Sequence, residues 1–222
     1  MKTQGFAATA VLLAAIGTTG LAVGAEPGPY IGLQGAATFQ READNSGTNL
    51  HTTSKFTSGY NVAGVLGWNY GQNWRAEAEL GYRRNDLDKL AVDKATGTGL
   101  AGGQTYDAHG HVGTTDVMGN LWYDVDTGSR WKPYVGGGIG WAHINANNVS
   151  ANGVSLADDT SNVFAYQLGA GIGYELTRRT TVSVNYRYFA TKDPTFTNVA
   201  TGTKFNSQYR TNNVGLSLRY RF

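Results

Sequence analysis

Eight stretches of this sequence alternate apolar and polar residues with a period of two. The clearest is 74–83, in which Arg75, Glu77, Glu79 and Arg83 alternate with apolar or small side chains. Successive side chains of a β-strand point to opposite faces, so this period predicts strands with one apolar face. The stretches are approximately 30–39, 60–70, 74–83, 111–123, 131–141, 164–176, 180–188 and 214–222. Only the fourth is irregular, because Trp122 breaks its pattern. The sequence therefore predicts an all-β fold.

The connections between these stretches alternate in length. Residues 71–73, 124–130 and 177–179 form short connections. The long connections are rich in Gly, Asn, Thr and Asp, and they cover roughly 40–58, 86–108, 145–161 and 190–206. Long polar loops on one side and short turns on the other are typical of outer-membrane barrels. We predict an eight-stranded antiparallel transmembrane up-and-down β-barrel in the bacterial cell outer membrane, with its long loops outside the cell and both ends of the barrel on the periplasmic side.

The distribution of polar residues distinguishes a membrane barrel from a soluble one, which would carry its apolar face inside. The polar face holds mainly Gly, Asn, Ser and Thr rather than the dense Lys and Glu of a solvated surface. Aromatic residues lie toward the strand ends of the apolar face, where they predict the girdles at the two membrane interfaces. The main girdle candidates are Trp68, Tyr70, Trp74, Trp131, Trp141, Tyr174 and Tyr220. We therefore expect the apolar face to contact outer-membrane lipid and lipopolysaccharide.

The first 25 residues have the pattern of a secretory signal peptide. A short basic start at Lys2 precedes an apolar stretch, and small residues end it at Ala25. A retained helix is the alternative, but glycines interrupt the segment and it is barely long enough to span a bilayer. We expect cleavage after Ala25, which assigns residues 26–222 to the barrel.

The composition excludes several classes of function. The chain has no cysteine, which excludes disulfides and zinc–thiolate or thiol chemistry. Its net charge of +2 provides no electrostatic basis for a nucleic-acid partner. His109 and His111 could point the same way at the outer end of a strand, but an ordinary junction between loop and strand explains them better than metal binding. We predict no metal site, no cofactor and no catalytic residues.

Four segments in this order resemble the opacity-type surface-antigen family. They are GPYIG at 28–32, WRAEAELGYR at 74–83, PYVGGGIG at 133–140 and LRYRF at 218–222. This is the small porin-like group related to the transmembrane domain of outer membrane protein A. The resemblance implies an eight-stranded barrel with variable surface loops and a role as surface antigen, adhesin or cell-envelope stabiliser. It also implies that Phe222, at the position of the family's terminal aromatic, is an assembly signal read by the barrel-assembly machinery.

Charged residues on the polar face are expected to meet inside the barrel. Isolated charges there would lose their hydration, so they should pair. The predicted lumen network is Arg75, Glu77, Glu79, Arg83, Asp116, Glu175, Arg187, Arg219 and Arg221. Its preferred interpretation is a salt-bridged plug, because eight strands leave an interior just wide enough for side chains. The alternative is a narrow ion pore gated by this network.

Three functions remain open on sequence alone. The first is a non-enzymatic surface protein whose long extracellular loops bind a host or surface ligand and mediate adhesion. The second is the ion pore. The third is a lipid-A-modifying enzyme, for which no Ser–His–acid set can be assembled from the sequence. Loops free of folding demands are the usual place for binding function, which favours the surface protein.

Overall fold

The computed structural model describes residues 27–47, 50–95, 101–198 and 202–222, which form twelve β-strands. The strands are β1 (Gly28–Gln40), β2 (Ala43–Gly47), β3 (Leu50–Phe56), β4 (Gly59–Gly71), β5 (Trp74–Ala95), β6 (Gln104–Asp124), β7 (Trp131–Ala151), β8 (Val154–Glu175), β9 (Thr180–Thr191), β10 (Thr195–Thr197), β11 (Lys204–Ser207) and β12 (Arg210–Arg221). Within these residues no helix is long and apolar enough to cross a bilayer. The predicted signal peptide lies outside the described residues and stays a prediction.

Eight of these strands close into a ring. β1, β4, β5, β6, β7, β8, β9 and β12 pair with their neighbours in this order, always antiparallel, and β12 pairs back with β1. The closing register runs from Tyr30 opposite Arg221 to Gln40 opposite Thr211. Closure satisfies the backbone groups that hydrocarbon cannot hydrate, so a barrel without an edge can cross a membrane. The predicted eight-stranded barrel is confirmed.

Large apolar side chains cover the outside of this ring. Leu33, Leu66 and Leu216 are 68%, 67% and 66% exposed, whereas polar residues of the opposite phase on the same strands are buried, namely Gln34, Asn61 and Asn213. A surface this apolar matches lipid rather than water. Aromatic rings pair along its periplasmic edge, with centroids 5.0 Å apart for Trp74 and Tyr123 and 4.8 Å apart for Trp131 and Tyr174.

The segments predicted as long loops are mostly regular strands, so the strands extend farther than the sequence pattern indicated. β2, β3, β10 and β11 fall within them, and β5 to β8 run through them. We call residues 43–56, 86–112, 142–163 and 190–209, as far as they are described, the outer tier. Strands β5 to β8 each extend into the outer tier by about ten residues. At about 3.3 Å per residue and the usual strand tilt, this extension raises the tier roughly 25 Å above the lipid-facing surface.

The polarity of the alternation reverses in the outer tier. On β7, Ile139 and Trp141 face outward, but Ala142 and Ile144 face inward and are buried. The strand keeps its phase, and only the surroundings change, from lipid outside the barrel to water outside the tier. Inward apolar residues such as Leu90 then form a core of their own. Short apolar side chains scattered among Gly, Asn and Thr concealed this pattern in the sequence.

Asp159 helps to close the seam of the outer tier between β8 and β10. Its Oδ2 accepts a hydrogen bond from the Thr197 backbone N–H at 3.0 Å, and its Oδ1 accepts one from the Thr160 N–H at 2.7 Å. These two N–H groups, Thr160 first, hold the pKa of the Asp159 carboxyl below its usual value. A depressed folded-state pKa means that the stabilisation is present at neutral pH and is lost as the pH falls through that lowered pKa.

Asp159→Asn is therefore expected to loosen β10 at pH 7. Loss of a charge-assisted hydrogen bond at this partly exposed site should cost about 1 kcal/mol, a roughly fivefold rise in local opening. Hydrogen exchange of Thr195–Thr197 measures it, with Asp193→Asn, an exposed neighbour, as the control. The difference from wild type should disappear once the pH falls below the lowered pKa of Asp159. A variant that exchanges like wild type at pH 7 would contradict this role.

Candidate functional site

Among the described residues, six charged side chains are buried within the membrane-spanning barrel, three cationic and three anionic, while the buried Lys132 lies at one end of it. The six are Arg75, Glu77, Glu79, Arg83, Asp116 and Arg187. Each belongs to an ion pair within the set: Arg75 with Glu77, Arg187 with Glu79, and Arg83 with Asp116. The interior therefore has no net charge, as expected where an unpaired charge would lose its hydration without compensation.

Glu77 is the centre of the cluster nearest the periplasm. Its Oε1 accepts hydrogen bonds from Arg75 and from the Tyr30 hydroxyl, the latter at 2.8 Å, and its Oε2 accepts one from the Trp122 indole at 2.8 Å. The Arg75 guanidinium carbon lies 4.7 Å from the centre of the Tyr134 ring. Arg75 also donates to Asp124 at 3.0 Å. The Glu77 carboxylate is thus held by three donors, Arg75, Tyr30 and Trp122, which lie on three different strands.

Glu79 is the centre of the next cluster. One oxygen, Oε2, accepts hydrogen bonds from Arg187 at 2.6 Å, Asn120 at 2.9 Å and Gln167 at 3.3 Å. Gln167 also donates to the Asn120 side-chain carbonyl at 2.7 Å. The Arg187 guanidinium carbon lies 4.8 Å from the centre of the Trp122 ring. These contacts join β5, β6, β8 and β9 across the lumen.

The third pair lies closest to the outer tier. Arg83 Nη2 is 3.0 Å from Asp116 Oδ2, and Nε is 3.2 Å from the same oxygen. The Arg83 guanidinium carbon stands 3.6 Å from the centre of the Phe189 ring, a close cation–π contact. Phe189 itself is fully buried. The charged interior therefore ends directly beneath an aromatic ring.

Apolar side chains fill the barrel above this pair. We call them the apolar layer, and its buried members are Ala142, Ile144, Ala146, Ala165, Phe189, Phe196 and Tyr209; Met118 packs against them from beside the ion pairs, at the register of Glu79. The Phe189 and Tyr209 rings meet edge to face with centroids 6.2 Å apart. This layer covers the ion pairs on the side of the outer tier.

Several residues of these clusters were missed by sequence reasoning. Trp122 was taken as a break in the alternation, but it lies on the inward face in phase with Asn120. Tyr30 and Gln167 also hydrogen-bond to the buried carboxylates. The available signal was position alone, since all three occupy the inward phase of their strands. Apolar character misled the interpretation of Trp122, whose indole N–H needs a buried acceptor.

Three members of the predicted lumen network lie at the periplasmic mouth instead. Arg219 approaches Asp124 at 3.7 Å, and Arg221 donates to the Arg178 carbonyl. No salt bridge joins Glu175 to a cation within the described ranges. All three line a basin of about 50 Å³. The structure therefore divides the nine predicted residues into six interior and three mouth residues.

The mouth is positively charged overall. Its described cations are Arg130, Lys132, Arg178, Arg179, Arg219 and Arg221, and its described anions are Asp124, Asp126 and Glu175. Lys132 donates to Asp126 at 2.7 Å, and this bond, with one from the Gly128 N–H, holds the pKa of the Asp126 carboxyl below its usual value. Asp126 thus stays anionic at neutral pH and neutralises part of the excess positive charge at the mouth.

The remaining predicted residues lie at the barrel surface. The seven girdle candidates all point outward, and Trp141 is the most exposed of them at 70%. Phe222 is also exposed, and its backbone N–H donates to the Pro29 carbonyl at 3.4 Å. His109 and His111 lie on β6 in the outer tier. Within the described part of the chain, no group of three or more His, Cys, Asp or Glu residues could hold a metal ion.

The family assignment agrees with this geometry. The sequence matches the outer membrane protein beta-barrel domain family over residues 8–222. The protein belongs to this outer-membrane barrel family. Outer membrane protein P.IIC of Neisseria gonorrhoeae is 26% identical over 199 residues, which cover 71% of this chain and 70% of that protein. This confirms the predicted resemblance to the opacity-type small barrels and the location in the bacterial outer membrane.

A second relative shares only part of its length. An outer membrane protein of Gluconacetobacter diazotrophicus is 27% identical over 168 residues, which cover 67% of this chain. The match spans 42% of that protein, less than half of its length.

Two solved structures of small outer-membrane barrels share the fold. Neisserial surface protein A (NspA) aligns with a TM-score of 0.53 and 17% identity over 87% of this chain and 97% of its own. OprG of Pseudomonas aeruginosa aligns with a TM-score of 0.55 and 15% identity over 91% of this chain and 99% of its own. At these identities the likeness concerns the fold alone.

Proposed function

We propose that this barrel is a non-enzymatic surface protein, an antigen and envelope component whose outer tier binds a partner outside the cell and mediates adhesion. The observation that carries the proposal is the outer tier itself. Strands β5 to β8 continue well beyond the lipid-facing surface, and the tier has its own apolar core. A folded extension of this size presents a stable, polar exterior for recognition, which a transmembrane barrel does not need in order to insert.

Attachment of whole cells tests this proposal. Cells that display the full chain should attach to a cultured epithelial monolayer at least tenfold more than cells without it. The trimmed variant replaces 43–56, 87–110, 145–160 and 192–208 by short turns. It should stay in the membrane, because the paired lower ring is complete without the tier, but lose attachment. Membrane insertion is checked by heat-modifiable migration on gels.

Antibody blocking provides a second measurement that does not depend on folding of the trimmed variant. Fab fragments raised against the outer tier should block attachment of cells that carry the full chain. Equal attachment with and without the protein, or attachment unaffected by bound Fab fragments, would overturn the proposal.

The closed lumen favours this function over an ion pore. Every interior carboxylate accepts a hydrogen bond from an arginine, and the apolar layer lies above them. An ion would have to cross residues such as Ile144 and Phe189, which offer it no hydrogen bond and no charge. We interpret the ion pairs as a brace that fixes the strands relative to one another.

Conductance of the purified protein in planar bilayers discriminates the brace from the pore. We expect no steady current above that of the bare membrane, for the wild type and for Glu79→Ala alike. A steady current in the wild type that changes on Glu79→Ala or Arg83→Ala would favour the pore. A denatured sample of the same protein controls for contaminating porins.

The lipid-A-modifying alternative receives little support from the described residues. Glu77, Glu79 and Asp116 are buried and engaged with donors, so none is placed to serve as a base toward lipid. Mass spectrometry of lipid A from cells with and without the protein should give the same acyl pattern. A changed pattern would refute the non-enzymatic proposal.

A further inference from the structure

A cavity of about 60 Å³ lies inside the outer tier and is partly open to solvent. Seven strands contribute to its lining: β2, β3, β5, β6, β7, β10 and β11. Leu87, Leu90, Val112 and Phe196 form much of its apolar wall. Most large apolar side chains of this tier point inward to its core, so an apolar cavity that still reaches water is a candidate binding site.

One corner of the cavity is polar but uncharged. Asn45 Nδ2 donates to Thr52 Oγ1 at 3.1 Å and to Ser54 Oγ at 2.8 Å. The hydroxyl hydrogen of Ser54 remains free to donate to an acceptor in the cavity. No Lys, Arg, Asp or Glu of the described chain lines the cavity. A charged molecule would therefore lose its hydration here without a compensating partner.

The size of the cavity limits the molecule. One water-sized group needs about 10–15 Å³, so 60 Å³ accommodates roughly four to six such groups. The lower members of the apolar layer, among them Ile144 and Phe189, are fully buried below the cavity and close the path toward the periplasm. The cavity is thus a holding site and does not continue into a channel.

We propose that this cavity binds a small uncharged molecule with a short apolar body and one hydrogen-bonding oxygen, such as a short-chain alcohol. The apolar body lies against Leu87, Leu90 and Val112, and the oxygen meets the corner formed by Asn45 and Ser54. This site is independent of the adhesive function proposed above and goes beyond it.

A series of 1-alkanols tests the proposal on the full-length protein in phospholipid nanodiscs. Methyl NMR signals of Leu87, Leu90 and Val112 should shift and saturate with each alcohol from ethanol to hexanol. Each added CH2 that becomes buried should tighten binding about fourfold, and the gain should stop at about four to six carbons. Butylammonium should bind at least tenfold more weakly than 1-butanol.

Lipid-facing methyls provide an internal control, because alcohols also partition into the bilayer. Leu33 and Leu216 report that partitioning, which does not saturate. The proposal is overturned if the cavity methyls stay unmoved while Leu33 shifts, or if butylammonium binds as well as 1-butanol. These outcomes require no variant.

Two substitutions on β3 localise the site. Ser54→Leu fills the cavity and should abolish the saturable shifts. Thr53→Leu adds the same side chain at the neighbouring position, which points away from the cavity, and should leave binding unchanged. Equal binding by both variants would place the alcohol elsewhere and refute the assignment.

Discussion

Glu79→Leu is expected to lower the free energy of unfolding by about 3–5 kcal/mol, the usual cost of removing one partner of a buried ion pair. The substitution leaves the Arg187 guanidinium buried without its carboxylate, and Asn120 and Gln167 also lose their shared acceptor. Urea unfolding of the barrel in lipid vesicles, followed by tryptophan fluorescence, measures the change.

Two further variants show whether the unpaired charge causes this loss. In Glu79→Leu/Arg187→Met no charge is left unpaired at this pair, so most of the lost stability should return. Glu42→Leu removes one partner of the exposed pair with Lys55 and should cost no more than about 1 kcal/mol. If the double variant is as unstable as Glu79→Leu, the buried charge is not the cause.

Phe189→Ala is expected to cost about 3–5 kcal/mol, in the range for truncating a buried phenylalanine. The ring lies between the Arg83 guanidinium, 3.6 Å from its centre, and Tyr209. Its removal leaves a cavity in the apolar layer next to the Arg83–Asp116 pair, and it removes the cation–π contact as well. The same urea unfolding experiment measures the loss.

Phe189→Leu separates the two contributions of this ring. Leucine keeps most of the apolar volume but has no π face, so the loss should stay below about 1.5 kcal/mol. An effect of Phe189→Leu as large as that of Phe189→Ala would mean that the contact with Arg83, rather than packing, dominates. A negligible effect of Phe189→Ala would contradict a closed apolar layer.

Much of the barrel was predictable because the residues of each strand reflect what surrounds it. Lipid outside and side chains inside impose a period of two, so the alternation within 74–83 is enough to predict a strand and its inward face. The alternation of short and long connections placed the chain ends. The opposite polarity of the outer tier was missed, because water replaced lipid outside and the apolar residues moved inside without a change of phase.

The charge network was predictable only in part. Inward phase identified Arg75, Glu77, Glu79 and Arg83, but it also suggested Glu175 and Arg221, which lie at the mouth. Phase along a strand specifies the face and leaves the depth in the barrel undetermined. Depth follows from where each strand enters the ring, which depends on the turns and on the stagger between strands.

The sequence by itself determined the class of fold, the lipid-facing surface and the side of the barrel on which both chain ends lie, because these follow from local alternation and connection length. Only the tertiary structure decided which charges pair, that Trp122 donates to Glu77, and that an apolar layer built largely by the outer tier covers the ion pairs. Those contacts join residues far apart in the chain, such as Glu79 and Arg187. Their partners are set by barrel closure and strand stagger, which no single stretch of sequence contains.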